Sequence, residues 1–291
     1  MNNGFSLIEK GGVKLISVDC INDTKLFKAF YSTGYSGVST DLPGGTTMNL
    51  NLFKNFKDLD LDKTESWGKE NPKKNLQLFA NACGFSIKKL TAVHEIHSNI
   101  VHKAKSPKGN EIYNPHAYLD GDAQVARFND DLALFVYASD CCTMLLADPS
   151  TGVYATTHCG WKNSLNGTIH NWIEKFSELG GNKENAIVAI GPALDQKCME
   201  IGQDVYDLFV NYSSDFANDI IISPTTPGKF YIDLFSINTQ LLIREGIKID
   251  NIYSSGICNK CEFALPSYRR DQGRNGVMAG IIYPNNNIFS F

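Results

Sequence analysis

Three short apolar runs stand close together in the middle of the chain: LALFVYAS at 132–139, TMLLAD at 143–148 and GVYATTH at 152–158. Apolar runs of about 4–8 residues bounded by turn residues read as strands, and the turn ADPSTG joins the last two. The period then changes. Leu165, Ile169, Trp172, Ile173 and Phe176 recur at helical spacing across 164–179, and Gly180-Gly181 ends the run. NAIVAIGPAL (185–194) returns to a strand pattern, 202–212 and 233–246 read as helices, and 252–257 and 276–283 read as the closing strands. Two long stretches, 105–122 and 213–230, carry no period and read as irregular loops, the kind of segment that often bears function.

Strands outnumber helices and neighbour one another in sequence. That predicts an α+β or mixed α/β layered fold rather than a doubly wound parallel sheet. A chain of 291 residues suits one large domain or two intimate halves, and no repeat, linker or low-complexity tract divides it. Neither GxGxxG nor GxxxxGK[ST] occurs, so no nucleotide fingerprint is present. The net charge of −4 is spread along the chain without a Lys/Arg block, which argues against a nucleic-acid partner. No apolar run reaches the ~18 residues of a membrane span. The first residues lack the basic-then-apolar pattern of a signal peptide, so a cytoplasmic location is expected and the eight cysteines are expected to be reduced thiols.

The candidate chemistry lies at the ends of the runs. His158 closes one, Cys141 follows another in SDCC, and His94 follows the apolar-to-polar transition in KKLTAVHEIH. If these ends are neighbours, two imidazoles and a thiol converge. That set suits a catalytic zinc with one position open, and also copper. Taken singly, each residue has a plainer reading: a cysteine in an apolar strand is a small core residue, and a histidine at a strand end is hydrogen-bonded. Cys258-x-x-Cys261 has knuckle spacing, but the second CxxC of a Cys₄ site is missing, so these read as buried thiols. His94-Glu95-Ile96-His97 is not HExxH, Asp120-Gly121-Asp122 reads as a solvated turn, and His170 as a surface residue. Arg269 and Arg270 in SYRRD are candidate anion ligands, with an ion pair to Asp271 as the plainer reading.

Several segments then fall together in order. HCGWKNSLNGTI resembles the HAGWRG motif of the YfiH-type family, also called the laccase-domain or multicopper polyphenol oxidase family and described as purine nucleoside phosphorylase. SDCCTMLLADP resembles its ADC-x-P motif, VHEIHSNIV its QVH segment with His94 as the motif histidine, and DGDAQV its D-A segment. GPALDQKCMEIGQDV, IDLFSINTQLL and SYRRD resemble further elements, as do AFYSTGYSGVS and MNLNLF nearer the start. The resemblance implies one catalytic domain over 1–291 with a layered α/β sandwich shared with cytotoxic necrotising factor toxins. It implies His94, Cys141 and His158 as metal ligands, with zinc as the metal and copper as the alternative. The chain departs from the motifs at Lys162 (for Arg), Gly34 (for Arg), Thr143 (for Pro) and Asn275-Gly276-Val277 (for TGR).

The activity so implied is phosphorolysis of adenosine, inosine and methylthioadenosine to free base and ribose 1-phosphate or its methylthio analogue, with adenosine deaminase side activity. Arg269, Arg270 and Lys162 are then expected to supply positive charge to the phosphate, and Asp140 and Asp122 are the candidate proton donors to the base. A cluster of coppers needs more converging imidazoles than six histidines are expected to provide. A one-copper polyphenol oxidase remains an alternative. Two others are an amide hydrolase of the cell-wall-precursor type, with Cys141 as nucleophile and a histidine base, and a non-enzymatic metal-holding module.

Overall fold

The computed structural model describes residues 4–40, 42, 45–51, 70–105, 118–262 and 264–286. Fifteen strands and seven α-helices are seen among them. The strands are β1 (Phe5–Lys10), β2 (Val13–Val18), β3 (Phe27–Ser32), β4 (Leu90–Thr91), β5 (Val101–Lys103), β6 (Ala123–Arg127), β7 (Ala133–Ala138) and β8 (Cys142–Asp148). They continue as β9 (Val153–Cys159), β10 (Ile187–Ile190), β11 (Glu200–Gly202), β12 (Ile220–Ile222), β13 (Lys229–Ile232), β14 (Ile252–Ser254) and β15 (Met278–Pro284). The helices are α1 (Asp19–Asn22), α2 (Glu70–Cys83), α3 (Trp161–Leu165), α4 (Thr168–Glu178), α5 (Gln203–Tyr212), α6 (Leu234–Arg244) and α7 (Tyr268–Asp271).

Two six-stranded sheets form the centre, in the orders β1-β2-β3-β15-β7-β4 and β14-β10-β8-β9-β6-β5, and a small sheet β11-β13-β12 stands apart. Alternation along each strand assigns its side chains to layers. On β8, Leu145 and Ala147 face the first sheet, where they join Leu134 and Val136 of β7 and Phe27 and Tyr31 of β3. The other face of β8, with Cys142, Met144 and Leu146, packs against Trp172, Ile173 and Phe176 of α4 and Leu242 of α6. The outer face of the first sheet, with Phe135 and Ile281, is covered by Leu76 and Phe79 of α2. The result is a helix–sheet–sheet–helix sandwich, the mixed α/β layering expected from the sequence.

The differences from the sequence pattern have local causes. The single helix expected over 164–179 is two helices, because Gly167 adopts φ 88° between them. The strand expected over 185–194 stops at Ile190. At the next residue a β-carbon on Gly191 would lie 2.3 Å from the Tyr31 ring that crosses between the sheets, and the Tyr31 hydroxyl donates to the Thr143 carbonyl at 3.0 Å. The stretch 213–230, read as an irregular loop, contains a 3₁₀ turn and strand β12 and ends in β13. Of the other loop, 106–117 lies outside the described residues.

One end of the second sheet gathers the chemistry. β8 and β9 are antiparallel with Thr143 opposite His158, so the start of β8 and the end of β9 meet there. β10 runs antiparallel to β8 and parallel to β14, so the chain leaving β10 and the chain leaving β14 emerge at that same end. The link from β7 to β8 crosses from one sheet to the other, and Cys141 sits on that link.

Candidate active site

His158 is almost fully buried at the end of β9, its ring turned toward the gap between the sheets. Its Nδ1 pairs with Asp122 Oδ1 at 2.9 Å, and its backbone amide donates to the Asp122 carbonyl at 2.8 Å. The same carboxylate orders a second segment. Asp122 accepts the backbone amides of His97 at 3.0 Å and Ser98 at 2.5 Å, together with the Ser98 hydroxyl at 2.8 Å. These bonds hold His97 in a left-handed conformation, φ 60°, with its ring edge-on to that of His158 at a centroid separation of 4.8 Å. Ligand atoms of His97, Cys141 and His158 all lie within 4.8 Å of one another.

Close approach around Cys141 requires a missing side chain. A β-carbon on Gly160 would stand 2.8 Å from Cys141 Sγ and 3.5 Å from the His97 ring. Gly160 also opens α3. There Asn163 accepts the Gly160 amide at 3.2 Å and donates to the Ser98 carbonyl at 2.8 Å, tying the helix to the His97 loop.

The three side chains face a cavity of about 520 Å³, in the range of small-molecule sites. Trp161, Met199, Leu234 and Tyr268 give it apolar wall, and Asn51, Glu95, Tyr137, Asp140, Arg269 and Asn275 bring polar groups. Glu95 is bound to Tyr137 twice over: its carboxylate accepts the Tyr137 amide at 3.0 Å, and its amide donates to the Tyr137 hydroxyl at 3.3 Å. Asp140, at φ 84°, accepts the Arg269 amide at 2.6 Å.

Electrostatics set these groups apart. Burial pushes the Cys141 thiol up, but the charge and hydrogen bonds of His158 and His97 outweigh it and bring the thiol down to about 6. Burial also opposes a charge on His158, yet Glu95, Cys141 and the Asp122 hydrogen bond raise it well above the usual imidazole range. Glu95 is raised to about 8 by burial, against the pull of His158. Burial raises Asp122 too, but its bonds to His158 and Ser98 hold it below the usual carboxylate value. Asp140 is raised by burial, against the Arg269 amide.

The structure thus brings together two of the three expected ligands and replaces the third. His94 is not in the cluster. Its Nδ1 is taken by Asp120 Oδ1 at 2.8 Å and its side chain is 43% exposed, leaving it on the cavity rim. The residue that converges is His97, three positions later. VHEIHSNIV offers two registers, Val93-His94 and Ile96-His97, each a branched apolar residue followed by histidine, and the second is the one that Asp122 pins.

The expected charges also divide. Arg269 reaches the cavity, its guanidinium donating to the Glu200 carbonyl at 3.2 Å. Arg270 does not line the cavity. It pairs with Asp271 at 2.8 Å and donates to the carbonyls of Asn259, Glu262 and Leu265, so the structural ion pair is the reading that holds. Lys162 points along the outside of α3 with its ammonium 5.6 Å from the Trp161 ring, and does not line the cavity either. Of the two proposed proton donors, Asp122 is held ionised and serves as a clamp. Glu95 and Tyr137 are cavity residues that the sequence did not single out.

Comparison with known proteins adds to this geometry. Over 153 residues the chain is 30% identical to adenosine deaminase RL5 from an unknown prokaryotic organism, a match that covers 52% of this chain and 58% of that relative. It is 28% identical over 208 residues to a purine nucleoside phosphorylase of Deinococcus radiodurans, covering 72% and 75% of the two chains. The fold matches the crystal structure of the Bacillus licheniformis hypothetical protein YfiH with a TM-score of 0.81 over 97% of this chain and 99% of that one, at 21% identity. Residues 47–285 match the family described as multi-copper polyphenol oxidoreductase laccase, and the chain belongs to that family.

Proposed function

We propose that the chain is a metal-dependent purine nucleoside phosphorylase. On this reading it converts adenosine, inosine and methylthioadenosine to free base and ribose 1-phosphate or its methylthio analogue, with adenosine deamination as a side activity. The observation that carries the reading is the convergence of His97, Cys141 and His158 on one wall of a nucleoside-sized cavity. The names of the relatives support the substrate class.

The donor set fits a metal. Two imidazoles and a thiolate with the fourth direction open to a cavity is the composition of catalytic zinc sites, and it also suits a single copper. Asp122 fixes the Nδ1 side of His158, which leaves Nε2 to the metal. When bound, the ion supplies Lewis acidity at the open position.

The chain's own residues account for the rest. Phosphate oxygen attacks C1′ of the ribose as the C1′–N bond breaks, and the electron pair leaves with the base, which takes up a proton. Glu95, pushed up to about 8, keeps its proton at neutral pH and delivers it. Arg269 forms no ion pair among the described residues, so its charge is available to phosphate. Trp161, Met199 and Tyr268 offer flat or pliant apolar surface to the purine. The test is metal analysis of the purified protein, followed by incubation with adenosine or inosine and phosphate. Free base and ribose 1-phosphate are expected, and their release should cease in His158→Ala. Full turnover in a metal-stripped sample would overturn the reading.

A second reading rests on the lowered Cys141 thiol beside a histidine that Asp122 orients, the relay used by thiol nucleophiles on amides. Alkylation of Cys141 by iodoacetamide separates the two. Protection by zinc supports the phosphorylase reading, and a trapped acyl-enzyme supports the hydrolase.

A further inference from the structure

A second group of metal-ligating side chains lies outside the cavity. Asp195, Cys198, Cys258 and Cys261 offer ligand atoms that all lie within 4.8 Å of one another. The sheet explains why they meet. β10 and β14 are parallel neighbours, so Asp195, five residues beyond the end of β10, and Cys258, four beyond the end of β14, leave the same edge side by side. Backbone bonds from Ala193 to Ile257 and from Asn259 to Ala193 keep the two exits in register. The Asp195 carbonyl accepts the amides of Cys198 and Met199, turning the first segment back on itself, and the Cys258 carbonyl accepts the Glu262 amide in a matching turn that carries Cys261 on the second. Each segment therefore contributes two donors three positions apart, Asp-x-x-Cys and Cys-x-x-Cys.

Cys198 and Cys261 sulfurs stand 3.4 Å apart, far beyond a disulfide bond of ~2.05 Å. That is near the ~3.8 Å edge of a tetrahedron with metal–sulfur distances of ~2.3 Å. The Cys258 sulfur accepts the Asp195 backbone amide at 3.5 Å, which holds it against the first segment. Asp195 Oδ1 is buried and accepts no hydrogen bond among the described residues.

The structure assigns to this cluster a second metal site: we propose that Asp195, Cys198, Cys258 and Cys261 bind one zinc-type divalent cation as a closed, four-donor structural centre. It is independent of the reaction proposed for the cavity, but it is joined to the cavity wall. Met199 follows Cys198 directly, and the Arg269 guanidinium donates to the Cys198 carbonyl at 3.5 Å. A cation there fixes the two chain exits to each other and, through them, the position of Met199 and Arg269.

The experiment uses the full chain purified under reducing conditions. Zinc content in Cys261→Ser, whose thiol is exposed, should fall by one equivalent relative to the unaltered protein. In Cys141→Ser the cluster's equivalent should remain. Cobalt(II) added to metal-stripped Cys141→Ser should give the visible bands of a tetrahedral site with strong near-ultraviolet thiolate charge transfer. That spectrum should vanish in the Cys141→Ser/Cys261→Ser double variant. Asp195→Asn should keep the fold and lower the chelator concentration at which the metal is removed. Two results would sink the proposal. One is unchanged zinc in folded Cys261→Ser with no cobalt–thiolate band in Cys141→Ser. The other is a Cys198–Cys261 disulfide that forms in air, with no metal bound after reduction. If Cys261→Ser does not fold, the cobalt spectrum of Cys141→Ser decides alone.

Discussion

Two clusters sit at the same end of the second sheet and differ in openness. The His97–Cys141–His158 cluster has three donors and a face on a cavity of about 520 Å³. The Asp195–Cys198–Cys258–Cys261 cluster has four donors and is closed by two facing turns. Three donors and an opening leave a coordination position for chemistry, whereas four donors without one leave nothing to do but hold. The supports differ in the same sense. A buried carboxylate, Asp122, orients the open cluster from behind, as metal-binding histidines require. A backbone amide holds a sulfur of the closed one.

The sharpest way to break this contrast is to remove donors from the open cluster. His97→Ala should lower nucleoside turnover by more than about 100-fold, the upper end of what outer partners of a metal are worth. His94→Ala should retain most of it. Steady-state assays of both variants settle which histidine belongs, and equal losses would show that the cluster is drawn wrongly. Asp122→Asn keeps size and shape but loses the charge that holds His158 and the His97 loop. A loss of about 10–100-fold in turnover or metal affinity is expected, with cation binding at the proposed closed cluster untouched.

Thiol reactivity probes the contrast without mutation. In metal-stripped protein, Cys141 is a thiolate above about 6, so its alkylation rate should rise as pH passes upward through that value and then level off. A thiol lowered on folding stabilises the folded state at alkaline pH, and that contribution is lost as pH falls through about 6. Peptide mapping after iodoacetamide treatment from pH 5 to pH 9 measures the inflection, and a rate still climbing at pH 9 would remove the imidazole–thiolate pairing. The smallest expected effect is at Gly160. Gly160→Ala places a methyl 2.8 Å from Cys141 Sγ, and overpacking of that kind costs about 1–3 kcal/mol. Urea unfolding should register that loss, and metal affinity should fall at the open cluster alone.

Much of this was legible in the chain itself. The central strands and the helices at 203–212 and 234–244 follow from local pattern, because alternation and helical spacing are set by neighbours in sequence. Cys141 and His158 could be picked out because each ends an apolar run. His97 could not be separated from His94 by pattern, since what selects it is Asp122, 25 residues away in sequence. Glu95 is found only through its enclosure beside Tyr137. The closed cluster shows the same limit. Cys258-x-x-Cys261 lacks a second pair of cysteines, and the pair that completes it begins with an aspartate on a strand exit more than 60 residues earlier. Arg270 illustrates the converse, since a residue chosen for its charge is consumed by the loop it braces. The small sheet is not legible in the sequence, because three strands of three or four residues carry too little pattern to register.

The crossing of the chain between β7 and β8 has a mechanical meaning. Cys141 is anchored where the first sheet hands over to the second, and His158 is anchored within the second. The distance between sulfur and imidazole therefore behaves like a gauge bonded across a joint, and any slip of one sheet over the other stretches or shortens it. Tyr31, wedged between the sheets against Gly191 and Gly280, is the spacer that sets the zero of that gauge. Trimming this ring, whose hydroxyl holds the Thr143 carbonyl opposite His158, is expected to retune the cluster.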